Sequence, residues 1–172
     1  VLSREPGVVV TNLSTSQVVE DVAREYGGSV ARAPVGEINV ARRMQEDGAV
    51  VGGEGNGGVI LPDLHFTRDA PVAAALILQH LVDRGSTLRE AVDRWPSYLI
   101  RKEKLDFARE SLQGAYEALQ ADLSPPRWDH TDGLRMSWPN DRVWIHVRPS
   151  GTEPVVRLIA EGPTRRRVEG LL

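Results

Sequence analysis

The first half of the chain alternates short apolar runs with segments whose apolar residues recur every three or four positions, as strands followed by amphipathic helices do. Gly7-Val8-Val9-Val10-Thr11 reads as a buried strand, and beyond Asn12-Leu13-Ser14-Thr15-Ser16 the apolar positions Val18, Val19, Val22 and Ala23 predict a helix. Ser14 with Gln17 three residues later fits a capping box at its start, and Gly27-Gly28 supplies the stop. A second strand, Ser29 to Ala33, ends at Pro34. A second helix runs from about Ile38 to Asp47 and stops at Gly48, and Ala49-Val50-Val51-Gly52 makes a third strand. Such alternation with short links predicts a mainly parallel sheet with right-handed crossovers. Asp69 as N-cap, Pro71 in the first turn and an apolar body to Leu81 predict a helix packed on that sheet and ended by Gly85. Thr87 and Glu90 form a capping box for a short helix to Arg94.

The pattern changes at Trp95-Pro96-Ser97, because the residue before a proline is kept out of the helical region. Residues 1–95 are therefore expected to form an α/β domain and residues 96–172 an α+β domain. In the second part Ser97 to Lys104 reads as a strand, and Asp106 to Ala121 as a helix with Ala108, Leu112, Ala115 and Leu119 on one face. The polar stretch Asp122 to Asp132 reads as a loop. Leu134 to Trp138 is a strand turned by Pro139-Asn140-Asp141 into Val143-Trp144-Ile145-His146-Val147, and Val155 to Ala160 is the last strand before a helical segment from Thr164. One helix laid across a mostly antiparallel sheet is the expected architecture.

Between the last two strands lies Arg148-Pro149-Ser150-Gly151-Thr152-Glu153-Pro154-Val155-Val156-Arg157. Proline, glycine and hydroxyl residues make this a short, stiff turn, in which successive backbone N–H groups converge into an anion-binding concavity. Ser150 and Thr152 add hydroxyl donors, and Arg148 and Arg157 add guanidinium forks that match phosphate oxygens. Each charge-assisted hydrogen bond is worth roughly 1.5–3 kcal/mol, so three or four hold a phosphate monoester in water. Read from the residues alone, an ordinary hairpin with exposed arginines fits as well.

A second loop, Gly53-Glu54-Gly55-Asn56-Gly57-Gly58, satisfies the G-x-G-x-x-G spacing of a dinucleotide site. That site needs a helix directly afterwards and an acid about 20 residues on. Val59-Ile60-Leu61-Pro62 is instead β-like, and Ala73 to His80 contains no acid. Asn56-Gly57 between apolar runs is a hairpin signal, with Glu54 either solvated or a hydrogen-bond acceptor for a ligand. His65, His80, His130 and His146 show no metal-ligand spacing.

R-P-S-G-T-E-P-x-x-R resembles the C-terminal phosphate-binding loop of the α-D-phosphohexomutases, which include phosphomannomutase, phosphoglucomutase and phosphoglucosamine mutase. G-G-E-G-N-G-G resembles the sugar-recognition loop of the same family, usually G-E-x-S-G-H, with Asn56 for the serine and Gly58 for the histidine. Ala33-Pro34-Val35-Gly36-Glu37 and Asp132-Gly133 resemble further family turns. The resemblance covers nearly the whole chain and implies the last two of four domains. It assigns Glu54, Asn56 and Glu37 to the sugar, and Arg148, Ser150, Gly151, Thr152 and Arg157 to the phosphate. It also implies a catalytic phosphoserine and a Mg²⁺ loop in the first two domains, with a hexose 1,6-bisphosphate as intermediate and activator. Neither motif occurs here, so the chain, which starts at Val1 without a methionine, is expected to be a C-terminal fragment, inactive alone and partnered by the N-terminal domains of its own chain. A non-catalytic phosphosugar-binding or interaction module is the competing expectation.

At 172 residues and 41% hydrophobic the chain has enough apolar matter for two small cores. A formal charge of −3 lacks the basic excess of a nucleic-acid binder, so no nucleic-acid partner is expected. No apolar run approaches the ~20 residues of a membrane span, so no membrane partner is expected either. Zero cysteines exclude disulfides and fit a cytoplasmic location.

Overall fold

The structure is a computed structural model describing residues 1–107 and 109–172. The chain divides into two compact units, Val1–Ser97 and Tyr98–Leu172.

In the first unit, strands β1 (Val8–Asn12), β2 (Ser29–Ala33), β3 (Val51–Glu54) and β4 (Gly58–Ile60) form one sheet in the order β2-β1-β3-β4. The first three are parallel and β4 returns antiparallel to β3. Helix α1 (Val18–Glu25) links β1 to β2, and α2 (Glu37–Asp47) links β2 to β3. Side chains of β1 alternate between the faces: Val9 packs with Leu2 and Ala23 on the α1 side, Val10 with Val40, Ala41 and Met44 on the α2 side. Burying each such aliphatic side chain is worth roughly 1.5–3 kcal/mol. Because the chain leaves β1 toward β2 and then returns to β1's other edge, the order reverses between β1 and β3. Their carboxyl ends flank a topological switch point, where open α/β sheets bind ligands.

Several expectations need correction. Helix α1 has no capping box: the Gln17 side chain at its N-cap makes no capping bond, while the Ser14 N–H is donated to Asn12 Oδ1. The third strand lies two residues later than its apolar run, since the Ala49 N–H closes the end of α2 on Met44 O. Helix α3 (Ala70–Arg84) has the Asp69 cap, with its carboxylate accepting from Val72 N–H, yet none of its residues is buried. Apolar side chains surround this helix, a neighbouring strand shields only one stripe, and Ile77, Leu78 and Val82 stay exposed. Helix α4 (Leu88–Asp93) begins with the Thr87–Glu90 capping box.

The second unit is a five-stranded antiparallel sheet in the order β5-β9-β8-β7-β6, built from β5 (Leu99–Leu105), β6 (Arg127–Asp129), β7 (Leu134–Trp138), β8 (Val143–Pro149) and β9 (Val156–Gly162). Strand β6 lies in the stretch read as a loop; it is an edge strand with exposed polar side chains and an exposed Trp128, so it carries no alternating apolar signal. The expected helix starts later, as a 3₁₀ turn (Arg109–Ser111) leading into α5 (Leu112–Leu123). Leu112, Tyr116, Leu119 and Leu123 make its core stripe, and Ala108 lies outside the described residues. Helix α6 (Arg165–Glu169) is capped by Thr164.

The Tyr116 hydroxyl is buried with no hydrogen-bond partner among the described residues. Its burial, and then the Asp132 carboxylate, push the phenol pKa up. Tyr116→Phe is expected to stabilise the unit by about 1 kcal/mol, because it removes a desolvated group that gains nothing in return. A lower denaturant midpoint for the variant would show that the hydroxyl has a partner in solution.

Candidate functional site

Strand β3 delivers Glu54 to the carboxyl end of the first sheet, beside Asn12 at the end of β1. Its side chain is only 5% exposed. A carboxylate so withdrawn from water needs donors. Oε1 accepts from Asn12 Nδ2 at 2.8 Å and from the Gly36 N–H at 3.1 Å. Asn12 is fixed in turn: its Oδ1 accepts from the Ser14 N–H at 2.9 Å and the Thr15 hydroxyl at 3.0 Å. Thr15 Oγ1 also accepts from the Gly55 N–H at 2.9 Å. Beneath this loop Arg32 donates to the carbonyls of Asn12 and Thr15, both at 2.8 Å, and pairs with Glu20 at 2.7 Å.

The other oxygen of Glu54 faces outward. Oε2 has Asn56 Nδ2 at 3.4 Å and Arg68 Nη1 at 3.6 Å. The β3–β4 hairpin that carries Asn56 is closed by Gly57, at φ 98°, and by Asn56 Oδ1 accepting from the Gly58 N–H at 3.2 Å. Glu37, in the first turn of α2, accepts from the Arg68 N–H at 2.8 Å and from Arg68 Nε at 2.7 Å. The backbone bond, then the guanidinium, holds its carboxyl below the usual carboxylate range. Glu54, Asn56 and Glu37 thus meet around Arg68. Sequence reading missed Arg68, and nothing in its neighbourhood marks it. Asn12 and Thr15 were missed too, although the loop after a first parallel strand is a place where ligand residues gather.

In the second unit Arg148 on β8 and Arg157 on β9 stand directly opposite each other. Like charges so placed repel unless something intervenes. Asp132 Oδ2 lies 2.9 Å from Arg148 Nε, and Glu153 Oε2 lies 2.7 Å from Arg157 Nη2. Lys104 also reaches Glu153, at 2.9 Å, and these two cations hold the Glu153 carboxyl below its usual range. The pairing is incomplete. Nε of Arg148 and Nε of Arg157 are both buried without a hydrogen-bond acceptor among the described residues; the Asp132 contact has the distance of an ion pair but not the alignment of a hydrogen bond. The Ser150 N–H closes the loop on Val155 O at 2.8 Å. The N–H groups of Thr152 and Glu153 converge on Ser150 Oγ at 3.4 and 3.3 Å, long for hydrogen bonds. Ser150 is therefore an internal acceptor of the turn in this conformation. A cavity of about 430 Å³ is lined by Phe107 and residues 150–156, including Gly151 and Thr152.

His146 on β8 is fully buried, and its Nε2 donates to Asp132 O at 2.6 Å. It fixes the Asp132-Gly133 turn that presents Asp132 to Arg148. Gly133 is at φ 81°, and a Cβ there would lie 2.4 Å from Val147 O. Burial pushes the imidazole pKa down to about 4, against the smaller opposing effects of that bond and of Asp132. Among the described residues no group of three or more His, Cys, Asp or Glu is arranged to hold a metal ion. Gly53, Gly55 and Gly58 are followed by β4, so the helix required by a dinucleotide fingerprint is not there. No helix among the described residues is long and apolar enough to cross a membrane.

Two stability measurements check this geometry. The folded His146 pKa lies below the unfolded value near 6.5, so its contribution is complete above that pH and is lost as pH falls toward 4, on the order of 3 kcal/mol. His146→Gln is expected to flatten this part of the pH–stability curve, and an unchanged slope would show that folding does not shift the imidazole. Asn12→Ala is expected to cost about 1–3 kcal/mol, since it strips a donor from a buried carboxylate. Thermal melts would read that loss.

Two family models match the chain: Phosphoglucomutase/phosphomannomutase, alpha/beta/alpha domain III, over residues 2–98, and Phosphoglucomutase/phosphomannomutase, C-terminal domain, over residues 110–172. A probable phosphoglucosamine mutase of Methanopyrus kandleri is 36% identical over 168 residues, covering 96% of this chain and 37% of that protein. A phosphoglucomutase/phosphomannomutase of Thermococcus kodakarensis is 34% identical over 96% of this chain and 36% of its own length. The chain thus spans about 37% of the length of such curated relatives. Among solved structures, a phosphoglucomutase/phosphomannomutase family protein from Burkholderia thailandensis superposes with a TM-score of 0.79 at 24% identity, over 99% of this chain and 36% of that one. An Aspergillus fumigatus N-acetylphosphoglucosamine mutase, in complex with GlcNAc-6P and magnesium, superposes at 0.66 with 16% identity, over 99% of this chain and 42% of its own. With both halves matched by models of one family, and strand order and loops arranged as described, the chain belongs to the phosphoglucomutase/phosphomannomutase family.

Proposed function

We propose that this chain supplies the sugar- and phosphate-binding parts of a phosphohexose mutase, a protein that interconverts hexose 1-phosphate and hexose 6-phosphate. The observation that carries the reading is the pair of opposed arginines, Arg148 and Arg157, each with a buried Nε lacking an aligned acceptor among the described residues. Buried donors left in this state are rare in folded proteins and call for an anion of the right shape. A phosphoryl group has three acceptor oxygens and accepts bidentate guanidinium contacts more strongly than neutral acceptors do. In this reading the two arginines, the Thr152 hydroxyl and the backbone N–H groups of Gly151 and Thr152 hold the phosphate that is not reacting. Ser150 keeps the turn in shape.

Glu54 and Asn56 orient the sugar. Oε1 of Glu54 is taken by protein donors, so Oε2 is the edge offered to sugar hydroxyls, with the Asn56 amide beside it. Glu37 contributes by holding Arg68. These are positioning and electrostatic roles, which supply most of the catalysis in phosphoryl transfer. The phosphoserine and Mg²⁺ of this reaction class belong, in this reading, to the parts of the relatives that this chain does not span. Among the described residues no group of three or more His, Cys, Asp or Glu is placed to hold that metal.

Steady-state kinetics of the full-length protein with glucose, mannose and glucosamine 1-phosphates, and a hexose 1,6-bisphosphate as activator, tests the proposal. Turnover of at least one is expected, and Arg148→Ala should raise KM and lower kcat/KM by at least about tenfold, as for one lost charge-assisted contact. No turnover of any hexose phosphate would overturn the mutase reading, whereas unaltered kinetics of the variant would remove Arg148 from the site.

A further inference from the structure

The first unit contains a cation that lies outside the loops carrying the family resemblance. Arg68 lies in the segment between β4 and α3, and its backbone is pinned: its own N–H is donated to Glu37, and the next residue, Asp69, donates to Val59 O at 2.9 Å. From there the side chain folds over Gly58. A Cβ at Gly58 would stand 2.1 Å from Arg68 Cδ and 2.8 Å from Cγ, so any larger residue would evict the aliphatic stem. Gly58 is the position where the sugar loop of the family usually has histidine. The space that side chain would need is filled here by Arg68.

The head of Arg68 is aimed at the carboxylate that orients the sugar. Nε is held by Glu37 at 2.7 Å, Nη1 stands 3.6 Å from Glu54 Oε2, and Nη2 donates no hydrogen bond among the described residues. The side chain is 42% exposed, so a ligand can reach it. A guanidinium is a donor only and stays charged at any working pH, while Glu54 Oε2 is an acceptor only. Side by side they suit one hydroxyl that donates to the carboxylate and accepts from the guanidinium, or two neighbouring hydroxyls that divide the roles. A 3.6 Å gap is too long for a direct hydrogen bond and leaves the pair open to an inserted oxygen.

Building on the mutase reading above, we propose that Arg68, admitted by Gly58, is a specificity-determining residue of the sugar site that donates to a hydroxyl oxygen of the hexose held by Glu54. The test uses the full-length protein with a hexose 1-phosphate that it turns over and the 2-, 3- and 4-deoxy analogues of that sugar. One analogue is expected to lose about tenfold or more in kcat/KM with the unsubstituted protein, because the site's donor is then left unpaired. Arg68→Ala should lower kcat/KM for the parent sugar by a similar factor while changing that analogue less than about threefold. Gly58→Ala, which keeps the charge but displaces the stem, should reproduce the loss, and adding it to Arg68→Ala should cost little more. Arg68→Gln, nearer in volume, repeats the comparison should the alanine variant fold poorly. If the variants slow the parent and every analogue alike, or slow none, Arg68 is not a sugar ligand and only this inference falls. If the unsubstituted protein turns over no hexose phosphate, the mutase reading fails and takes this inference with it.

Discussion

Charge taken out of water must be met by a partner, and in this chain that requirement decides where the loops go. Glu54 is the clearest case. Its buried Oε1 draws a donor from the end of β1, Asn12, and another from the β2–α2 turn, Gly36, onto the end of β3. Three separate connections are thereby locked to one carboxylate, and Thr15 ties the hairpin tip to the same node through Gly55. The parallel order of the strands brings these ends together. The carboxylate then fixes which oxygen remains available at the surface. Apolar packing beneath the sheet makes the platform, but it has no means of choosing an orientation for a polar side chain on top.

The second unit meets the same requirement only in part. Arg148 and Arg157 are forced into register by β8 and β9, and their mutual repulsion is offset by Asp132 and Glu153. Each carboxylate sits differently. Asp132 is anchored from behind by a neutral buried histidine and by a glycine turn, so it is a fixed counterion. Glu153 is on the loop itself, exposed and shared with Lys104, so it is a counterion that water competes for. An anion entering between the arginines would have little to displace on the Arg157 side and would gain two buried donors with which no described residue aligns. That asymmetry follows from burial, since exposed ion pairs are worth little and buried ones resist being broken.

Much of this was legible in the sequence, for identifiable reasons. β2 and β7 were placed to the residue because proline or a turn bounds a β-branched or alternating run. The Thr87–Glu90 cap was legible because a capping box is local chemistry. Strand β6 was illegible because an edge strand with solvent on both sides has no apolar alternation. The start of α1 was misread because the Asn12 side chain holds the Ser14 backbone N–H in a turn that serves Glu54, and the helix opens only after Gln17. The candidate carboxylates and arginines could be named from their loops. Their partners could not, since Asn12, Arg68 and Lys104 come from distant segments and only the fold brings them into contact.

If the two loops act as proposed, their chemistry also explains why recognition would be split between them. A mutase must accept the same hexose with its phosphate at either end, so contacts that identify the sugar have to be indifferent to which end is charged. As proposed, a site built from an acceptor-only carboxylate, a neutral amide and a guanidinium tied to Glu37 would read hydroxyls without being dominated by positive charge. In the proposed reading the turn after β8, with Arg148, Arg157 and Lys104 near backbone N–H groups, would read phosphoryl oxygens and nothing specific to a ring. Merging the two sets would let the arginines compete for Glu54, collapsing both into an internal ion pair. Glu37 prevents a version of that collapse on a small scale, since by holding Arg68 through Nε it keeps the guanidinium 3.6 Å from Glu54 instead of in a closed bidentate pair.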